Sequence, residues 1–429
     1  MTPIHRQTIV FLLALICSIS PARGQSSSPA AVPPVIQLDD LVQEALKKNP
    51  SIRASRARWT AATKRPSQVS TLPDPIVTFV EMSDGTPRPF GNLGKESFSW
   101  YGISAAQPIP FSGKLSLQGQ YASQDAAALE QEAETTALQI VAQVKQAYYD
   151  LYLIDRSLDI IAKDKDLLER FEQIAETKYA VGQGHQEPVL RAQLELSLLT
   201  ERLTVLEQQR GSAMAQLNRL LNRPPDTSLA GKTAPVSPAG FQYTLEDLLR
   251  EAKARSPQLR ARQFMVDREN VGLNLARRAY YPDFTAMYTY LHRPTFTDMW
   301  EIKVDVQFPL YFWRKQRLGV NEAAATLEAA RQEYQTAAQE LFFNIKAEYL
   351  MVNATKRLID LSGTVVVPQA TLATESALAG YQVGNVDFLT LLNDFTVLLN
   401  YELRYHEQVV AYHKALARLE ELTALPLLR

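Results

Sequence analysis

Hydrophobic and polar residues alternate strictly along one short stretch of the chain, from Trp300 to Phe308. The apolar positions are Trp300, Ile302, Val304, Val306 and Phe308, and the polar positions are Glu301, Lys303, Asp305 and Gln307. Successive side chains of a β-strand point to opposite faces, so a period of two separates the apolar set from the polar set. The pattern predicts a strand with one apolar face and one charged face.

Three further runs accompany this strand and predict two hairpins. Phe284–Leu291 stands just before it and is its expected partner. In the first half of the chain, Ile76–Met82 and Phe98–Ala106 flank the turn-rich segment Ser83–Glu96. Alternating or β-branched runs bounded by turn residues are typical of strands. We therefore expect four strands per chain.

Long stretches without proline predict unusually long helices. Proline is absent between Pro110 and Pro188, between Pro309 and Pro368, and between Pro368 and Pro426, and these stretches are rich in Ala, Leu, Gln and Glu. Runs of ~60 helical residues would reach about 90 Å, well beyond a typical globular helix. The pattern favours a long antiparallel coiled coil or helical tube, and an ordinary helical bundle remains the alternative.

The chain also contains an internal repeat. Leu38–Ala54 recurs as Leu245–Ala261 at an offset of 207 residues, and Tyr179–Gly182 recurs as Tyr381–Gly384. Each copy has the same order of short helices, two strands and long helices, and a unit of ~200 residues is too long for a solenoid. We expect two structural repeats, residues 38–222 and 244–429, joined by the proline-rich linker 223–243.

The N-terminus has the order of a secretory signal peptide. His5 and Arg6 precede the apolar run Ile9–Ile16, and the small-residue segment Ala22–Gly24 precedes Gln25. The apolar run is far shorter than the ~20 residues that span a bilayer. We therefore predict export, with residues 1–24 as the signal peptide and residues 25–37 as an N-terminal extension.

Composition excludes several classes of protein. The 429 residues are 46% hydrophobic and 21% charged, which fits neither disorder nor a bundle of membrane helices. The formal net charge of -1 provides no basic surface for nucleic acid. The single cysteine, Cys17, lies in the predicted signal peptide, so neither a disulfide framework nor a cysteine-rich metal site is expected.

Four strands cannot close a barrel alone. Closed transmembrane barrels start at about eight strands, and an open sheet in lipid would leave its edge groups unpaired. Aromatic residues suited to a membrane interface stand near the strand ends: Phe98, Trp100, Tyr101, Tyr288, Tyr290, Trp300 and Phe308. If this sheet meets a membrane, several chains must pool their strands. A soluble sheet with one solvated face explains the same alternation, so both interpretations remain open.

The chain after the signal peptide resembles the TolC-like outer membrane efflux protein family. The resemblance rests on the tandem repeat, the helix–strand–strand–helix order in each copy, and the glycine turns Tyr179–Gly182 and Tyr381–Gly384. Two segments, Gln107–Lys114 and Gly182–Glu195, resemble the branch that serves heavy-metal or cation efflux pumps. The implied fold is mainly α with a small β-barrel part. It is a long antiparallel α-helical coiled-coil tunnel plus four β-strands per chain, and a trimer closes a twelve-stranded transmembrane β-barrel.

The resemblance implies the outer membrane channel of a tripartite efflux pump, a passive conduit that exports metal ions or small toxic compounds. It implies no enzymatic activity and no cofactor. The implied partners are two further copies of the chain (a homotrimer), a periplasmic adaptor, an inner-membrane pump and outer membrane lipid, with no nucleic acid. The alternatives are a type I secretion channel and a non-channel periplasmic scaffold. An exported enzyme is disfavoured because the sequence has no nucleophile–base cluster or metal motif.

The resemblance places a gate and a docking surface at the ends of the long helices. The gating tyrosine of the family matches Tyr381, its usual basic companion falls on Val386, and its acidic companion falls near Glu187. The periplasmic tip, expected to contact the adaptor, comprises Tyr179, Val181, Gly182, Gly184, Val383 and Gly384. Glycines suit such turns because they adopt left-handed conformations without steric cost.

Relatives commonly ring the pore constriction with acidic residues just past the second tip. The matching positions here are Thr390 and Asn393, with Asp387 and Asp394 nearby. A helix N-cap is the favoured role for Asp387, because Asp suits helix starts. The barrel lumen would be lined by Glu301, Lys303, Asp305 and Gln307.

Histidines do not predict a metal site. His185 stands alone beside a glycine turn, and such a residue is more often an ordinary polar loop residue. His406 and His413 can share one helix face, but no third ligand accompanies them. We therefore predict no bound metal.

Overall fold

The computed structural model describes residues 35–427 except positions 86, 230 and 239, so the predicted signal peptide lies outside the described residues. The helices are α1 Leu38–Lys48, α2 Pro50–Ala62, α3 Arg65–Ser70, α4 Lys114–Ala180, α5 Glu187–Leu220, α6 Leu245–Arg255, α7 Pro257–Arg278, α8 Gln316–Leu361, α9 Val367–Val383 and α10 Phe388–Thr423. The strands are β1 Val35–Ile36, β2 Ile76–Met82, β3 Trp100–Ile109, β4 Lys232–Thr233, β5 Asp283–His292 and β6 Met299–Gln307. The prediction of a mainly helical fold with a small β part is confirmed.

Each repeat opens with two helices, and in each repeat a local side chain caps the start of one of them. The Asn49 side chain accepts a hydrogen bond of 2.9 Å from the backbone N–H of Ser51, at the start of α2. In the second repeat, Thr244 and Asp247 form a reciprocal capping box at the start of α6. Prolines begin α2 and α7, where a missing N–H costs nothing. Local chemistry thus explains why the repeated segments fold alike.

The two hairpins join into one antiparallel sheet in the order β2-β3-β5-β6. The central pair links the two repeats, with Ile109 opposite Phe284 and Tyr101 opposite His292. Strands β2 and β6 are the two edges of this sheet. The residues that the sequence placed on one face of β6 therefore lie at an open edge.

Strand bounds differ from the sequence prediction in one informative place. β2 begins and ends as predicted, and β5 and β6 shift by one residue at their ends. The prediction of Phe98–Ala106 for β3 was wrong at both ends, since the strand runs from Trp100 to Ile109. Its last three residues have no clear alternation, but they pair with β5 of the other repeat. The long-range partner, rather than local pattern, extends the strand.

The long helices run side by side, away from the sheet. α4 has 67 residues, which corresponds to about 100 Å. It packs against α5, α7 and α10, and α10 also packs against α8 and α9. Short turns join α4 to α5 and α9 to α10, so the two helices of each of these pairs run in opposite directions. Among the described helices, none combines the length and the apolar character needed to cross a membrane.

Pro368 does not end a helix, although its position between two proline-free stretches predicts a boundary between two helical runs there. A π-helical turn, Ser362–Val366, joins α8 to α9, and helical structure continues from Gln316 to Val383. In a regular α-helix the proline ring clashes with the carbonyl group four residues earlier. That residue lies in the π turn here, where the hydrogen-bond register is displaced. The helical rod ends instead at Gly384.

Three apolar cores hold the rods together. One joins α1, α2, α4 and α5, and its counterpart in the second repeat joins α6, α7, α8 and α10. The third lies near the far ends of the rods and includes Phe171 and Phe395, whose rings meet edge to face with centroids 5.7 Å apart. Within the predicted linker, β4 pairs in parallel with β1, which lies in the predicted N-terminal extension. The sequence did not predict this two-residue pairing.

Candidate functional site

Two glycine turns lie together at the ends of the rods farthest from the sheet. Gly182 has φ +70° after α4, and Gly384 has φ +82° after α9. In both turns the residue after the glycine donates its N–H to a carbonyl near the helix end: Gln183 to Lys178 at 2.9 Å, and Asn385 to Gly380 at 2.8 Å. A left-handed residue that closes such a bond is the usual C-terminal cap of a helix. The two predicted tips therefore share one geometry.

Tyr381 is buried between the two tips. Its side chain is 7% exposed, and its ring meets Phe388 edge to face with centroids 5.5 Å apart. The Lys178 ammonium nitrogen lies 4.4 Å from the Tyr381 ring centroid and donates a hydrogen bond to the Tyr381 carbonyl oxygen. Burial raises the pKa of the Tyr381 hydroxyl, so this group stays neutral. The cation beside the tyrosine thus comes from the other repeat.

The resemblance matched the basic companion of the tyrosine to Val386, and the sequence pattern did not predict Lys178 in that role. The Val386 side chain packs instead on Gly380, where an added Cβ would lie 2.5 Å from Val386 Cγ2. Lys178 stands just before the Tyr179–Gly182 turn, and Gly380 stands at the same place before Tyr381. A lysine before one turn and a glycine before the other is the difference in the sequence that points to Lys178 as the cation beside the tyrosine.

The remaining tip residues are exposed. Tyr179, Val181 and Val383 are 49%, 62% and 71% exposed, although all three are largely apolar. Glu187 stands at the first position of α5 and forms an ion pair of 2.7 Å with Arg191 on the same helix. The structure therefore places an uncovered apolar surface at the tip, and it directs Glu187 toward a neighbour on its own helix.

The residues predicted to surround the constriction lie in the first turns of α10. Asp387 is the N-cap, and its Oδ1 accepts a hydrogen bond of 2.7 Å from the backbone N–H of Thr390. Hydrogen bonding from Thr390 lowers the pKa of the Asp387 carboxyl, which keeps this group ionised. Asn393 is exposed and Asp394 is half-buried. Asp387 thus caps the helix while still presenting a negative charge to solvent.

Strand β6 separates polar from apolar side chains, as its alternation predicts. Glu301, Lys303, Asp305 and Gln307 share one face, where Lys303 Nζ lies 3.1 Å from Asp305 Oδ1. On the opposite face, Ile302 stands opposite Tyr288 and Trp300 stands opposite Tyr290. Every residue of β6 is exposed. The strand therefore presents an uncovered apolar face and an uncovered polar face at one edge of the sheet.

The predicted pair of histidines has other partners. His406 Nδ1 lies 3.4 Å from the Tyr152 hydroxyl, and His413 Nε2 lies 3.0 Å from the carbonyl oxygen of Ser237. Burial lowers the pKa of both imidazoles. Among the described residues, no group of three or more His, Cys, Asp or Glu side chains is placed to hold a metal ion.

Comparison with known proteins adds a family and a fold. A family model described as outer membrane efflux protein matches residues 41–223 and 248–425. No curated protein matches the sequence. Similar solved structures include the outer-membrane channel OprN, with 17% identity, a TM-score of 0.78, and coverage of 90% of this chain and 89% of that chain. VceC of Vibrio cholerae has 18% identity, a TM-score of 0.76, and coverage of 90% and 96%. CmeC of Campylobacter jejuni has 16% identity, a TM-score of 0.75, and coverage of 90% and 85%.

Proposed function

The chain belongs to the outer membrane efflux protein family, and from this premise we propose that three copies form a passive conduit across the outer membrane and the periplasm. The family match confirms the resemblance read from the sequence. In this proposal a shared β-barrel crosses the membrane, and a shared helical tunnel extends into the periplasm. An inner-membrane pump supplies the energy, and a periplasmic adaptor joins it to the tunnel. The cargo is metal ions or small toxic compounds.

The observation that carries the proposal is the exposed apolar face of the sheet. Trp300, Ile302 and Val304 are 67%, 67% and 60% exposed, and on β2 the side chains of Val77 and Phe79 are 69% and 58% exposed. Removing apolar surface from water is favourable by roughly 25 cal/mol per Å². A contiguous exposed patch of this kind therefore marks an interaction surface. An exposed apolar face that carries aromatic residues fits lipid.

The open edges of the same sheet require further copies. In lipid, each backbone N–H and C=O at an edge needs a hydrogen-bond partner. Strands β2 and β6 are both edges, and four strands are fewer than the roughly eight of the smallest closed membrane barrels. Three copies close a ring of about twelve strands. The polar face of β6 then lines the water-filled interior.

An exposed apolar stripe on the long helices supports the same assembly. Met351, Leu358, Val365 and Leu372 follow one another at intervals of seven residues along α8, the π-helical turn and α9, and their exposures range from 39% to 65%. A seven-residue repeat of apolar side chains is the seam of a coiled coil. We infer that this stripe packs against the helices of a neighbouring copy and helps to form the tunnel wall.

The tip would serve as both the gate and the adaptor contact. Opening the tunnel requires the helix ends to move apart, and Tyr381 with its cation Lys178 lies where the two turns meet. The exposed Tyr179, Val181 and Val383 supply apolar surface for the adaptor. Asp387 and its neighbours on α10 would tune ion passage, because a trimer presents any inward acid three times.

The test is reconstitution of the full chain. Protein extracted from outer membranes should run as a trimer in native mass spectrometry and should give stepwise conductance in planar bilayers. Cells that lack the protein should become more sensitive to metal ions, to small toxic compounds, or to both, which identifies the cargo class. A monomer in detergent that forms no pores would refute the channel and leave the helical scaffold as the alternative.

A further inference from the structure

A segment rich in aromatic residues and cations joins the sheet to the long helix of the second repeat. Between the end of β6 at Gln307 and the start of α8 at Gln316, the chain reads Phe-Pro-Leu-Tyr-Phe-Trp-Arg-Lys. Residues 310–313 are each at least 51% exposed. The Trp313 ring meets Tyr311 and Phe312 edge to face, with centroids 6.2 Å and 5.1 Å away. Three large rings therefore cluster at this junction, and the described part of the chain leaves them uncovered.

Three exposed cations follow the rings directly. Arg314 and Lys315 precede α8, and Arg317 lies in its first turn. Among the described residues, no carboxylate forms an ion pair with any of the three. Cations at a helix N-terminus oppose the helix dipole, and the first turn of α8 contains no acid. Neither an internal ion pair nor helix chemistry accounts for these charges.

The neighbouring helix brings two further cations to the same junction. α7 packs against α8 and ends with Arg277 and Arg278, which are both exposed. The first residue of β5 pairs with the last residue of β6, so the chain enters and leaves this hairpin at one level. The Arg278 guanidinium carbon lies 5.6 Å from the centre of the Tyr281 ring, just before β5. The cations and the three rings together form a collar: Arg277, Arg278, Tyr311, Phe312, Trp313, Arg314, Lys315 and Arg317.

The first repeat makes the same connection without a collar. After β3 the chain reads Pro-Phe-Ser-Gly-Lys as it enters α4, with one ring and one cation. The ring, Phe111, stacks on Tyr281 with centroids 4.5 Å apart. The cation, Lys114, is paired with Asp283 at 2.8 Å. Joining a strand to a long helix therefore requires neither exposed rings nor unpaired cations, and the collar needs another explanation.

We propose that the collar binds the phosphate groups of anionic phospholipids in the leaflet of the outer membrane that faces the periplasm. This inference rests on the proposed function, which places the sheet in the membrane and the long helices in the periplasm, and it adds a lipid partner. The collar, at the helical end of the sheet, then lies level with the phosphates. Lys and Arg beside a bilayer attract anionic headgroups, and aromatic rings favour the same interfacial depth. Four of the five collar cations are arginines, whose planar donors match phosphate oxygens in pairs.

Continuity with the apolar face of the sheet favours a lipid over other anions. Val304 and Val306 lead along that face to Phe308, which is 64% exposed and stands next to the collar in the chain. A soluble acidic protein would pair with the cations but would not explain rings that continue a lipid-facing surface. Free phosphate would explain only the cations, and a lipid without net charge would explain only the rings. An anionic phospholipid uses both.

Lipid-dependent stability of the full-length trimer in detergent tests this inference. Phosphatidylglycerol should raise the temperature at which the trimer dissociates by several degrees more than phosphatidylcholine, which has no net charge. Substituting Arg314→Gln, Lys315→Gln and Arg317→Gln together should abolish this difference and leave the response to phosphatidylcholine unchanged. Inorganic phosphate should have no such effect on the parent. In the parent, about 0.5 M salt should also reduce the difference, because salt screens exposed charges.

The matched control removes three exposed cations far from the collar. Arg53→Gln, Arg56→Gln and Arg58→Gln lie on α2, which α3 separates from the sheet, and together they should preserve the preference for phosphatidylglycerol. Circular dichroism should show the parental helix content in both triple variants. If the collar variant loses helix, the parent decides instead, because a preference that persists in salt contradicts ionic binding.

The outcomes distinguish the lipid site from the channel. A conducting trimer that both lipids stabilise equally, or a folded collar variant that retains the preference, overturns the lipid site and leaves the channel standing. Inorganic phosphate that reproduces the effect of phosphatidylglycerol identifies a free anion as the ligand and also overturns the lipid site. A monomer that forms no pores overturns both the lipid site and the proposed function.

Discussion

Lys178 places its ammonium nitrogen 4.4 Å from the centre of the Tyr381 ring and donates a hydrogen bond to the Tyr381 carbonyl oxygen. The two residues end α4 and α9, which belong to different repeats. A cation over an aromatic face contributes about 0.5–1 kcal/mol when exposed and roughly 2 kcal/mol when desolvated. The contact therefore fastens the two helical tips of one copy to each other.

Lys178→Met should loosen the tip. If the contact holds the tunnel entrance narrow, losing about 1–2 kcal/mol shifts the balance between narrow and wide forms by roughly 5- to 30-fold. The expected result is a larger or more frequently open conductance in planar bilayers. Lys178→Arg should retain most of the effect because it keeps the cation, and Lys165→Met, earlier on α4, should leave conductance unchanged. Equal conductance of Lys178→Met and the parent would show that the contact does not control the gate.

Adjacent positions of β6 should respond oppositely to the same new charge. Val304→Lys puts a cation on the apolar face, where a charge near the bilayer midplane costs about 2–4 kcal/mol. We expect much less trimer in the outer membrane fraction. Asp305→Lys changes the polar face, so the trimer should form normally and only its ion selectivity should move toward anions. If both variants lose the trimer equally, the two faces of β6 do not face lipid and water as proposed.

Asp164 should make stability depend on pH. Its side chain is 1% exposed, and among the described residues neither carboxylate oxygen has a hydrogen-bond partner. Burial and the nearby Glu402 raise its pKa from 3.8 to about 6, with Lys163 opposing them. Because the folded state then binds the proton more tightly than the unfolded state, the free energy of unfolding falls as pH rises from about 4 to 6.

Asp164→Asn should therefore raise the free energy of unfolding at pH 7 by about 1–3 kcal/mol and flatten this pH dependence. Urea unfolding followed by circular dichroism at several pH values measures both effects. Asp166→Asn, on the exposed side of the same helix, is the matched control and should preserve the parental pH profile. If Asp164→Asn instead lowers the free energy of unfolding, nearby charges stabilise the ionised carboxylate in the folded state, and its burial does not destabilise the fold.

Asp387 combines a cap with a charge, and two substitutions separate them. Asp387→Ala removes the acceptor for the Thr390 N–H and should destabilise the start of α10 by about 1 kcal/mol. Asp387→Asn keeps an acceptor and should unfold like the parent. If the carboxylate also faces the pore, both variants should lose cation selectivity in planar bilayers. Unchanged selectivity in both would restrict Asp387 to capping.

The local sequence pattern predicted the helices and strands well, because the interactions that form them are local. Proline-free stretches with helical periodicity gave the long rods, and the strict alternation around Val304 gave β6 to within one residue at each end. Asp387 followed from cap chemistry, since the bond it makes spans only three residues. The repeat also predicted that both halves would fold alike. In each case the residues that interact lie close together in the sequence.

The tertiary structure decided the features that depend on contacts between segments far apart in the sequence. Pro368 lies inside a rod because a π turn accommodates its ring, and β3 continues to Ile109 because β5 supplies partners. The Lys178–Tyr381 contact joins residues 203 positions apart. Hydrophobic periodicity indicates which face of a helix or strand is buried, but several other elements of the chain could cover that face equally well. Only the packed chain selects the neighbour, and here that choice sets which cation lies beside the tyrosine at the tip.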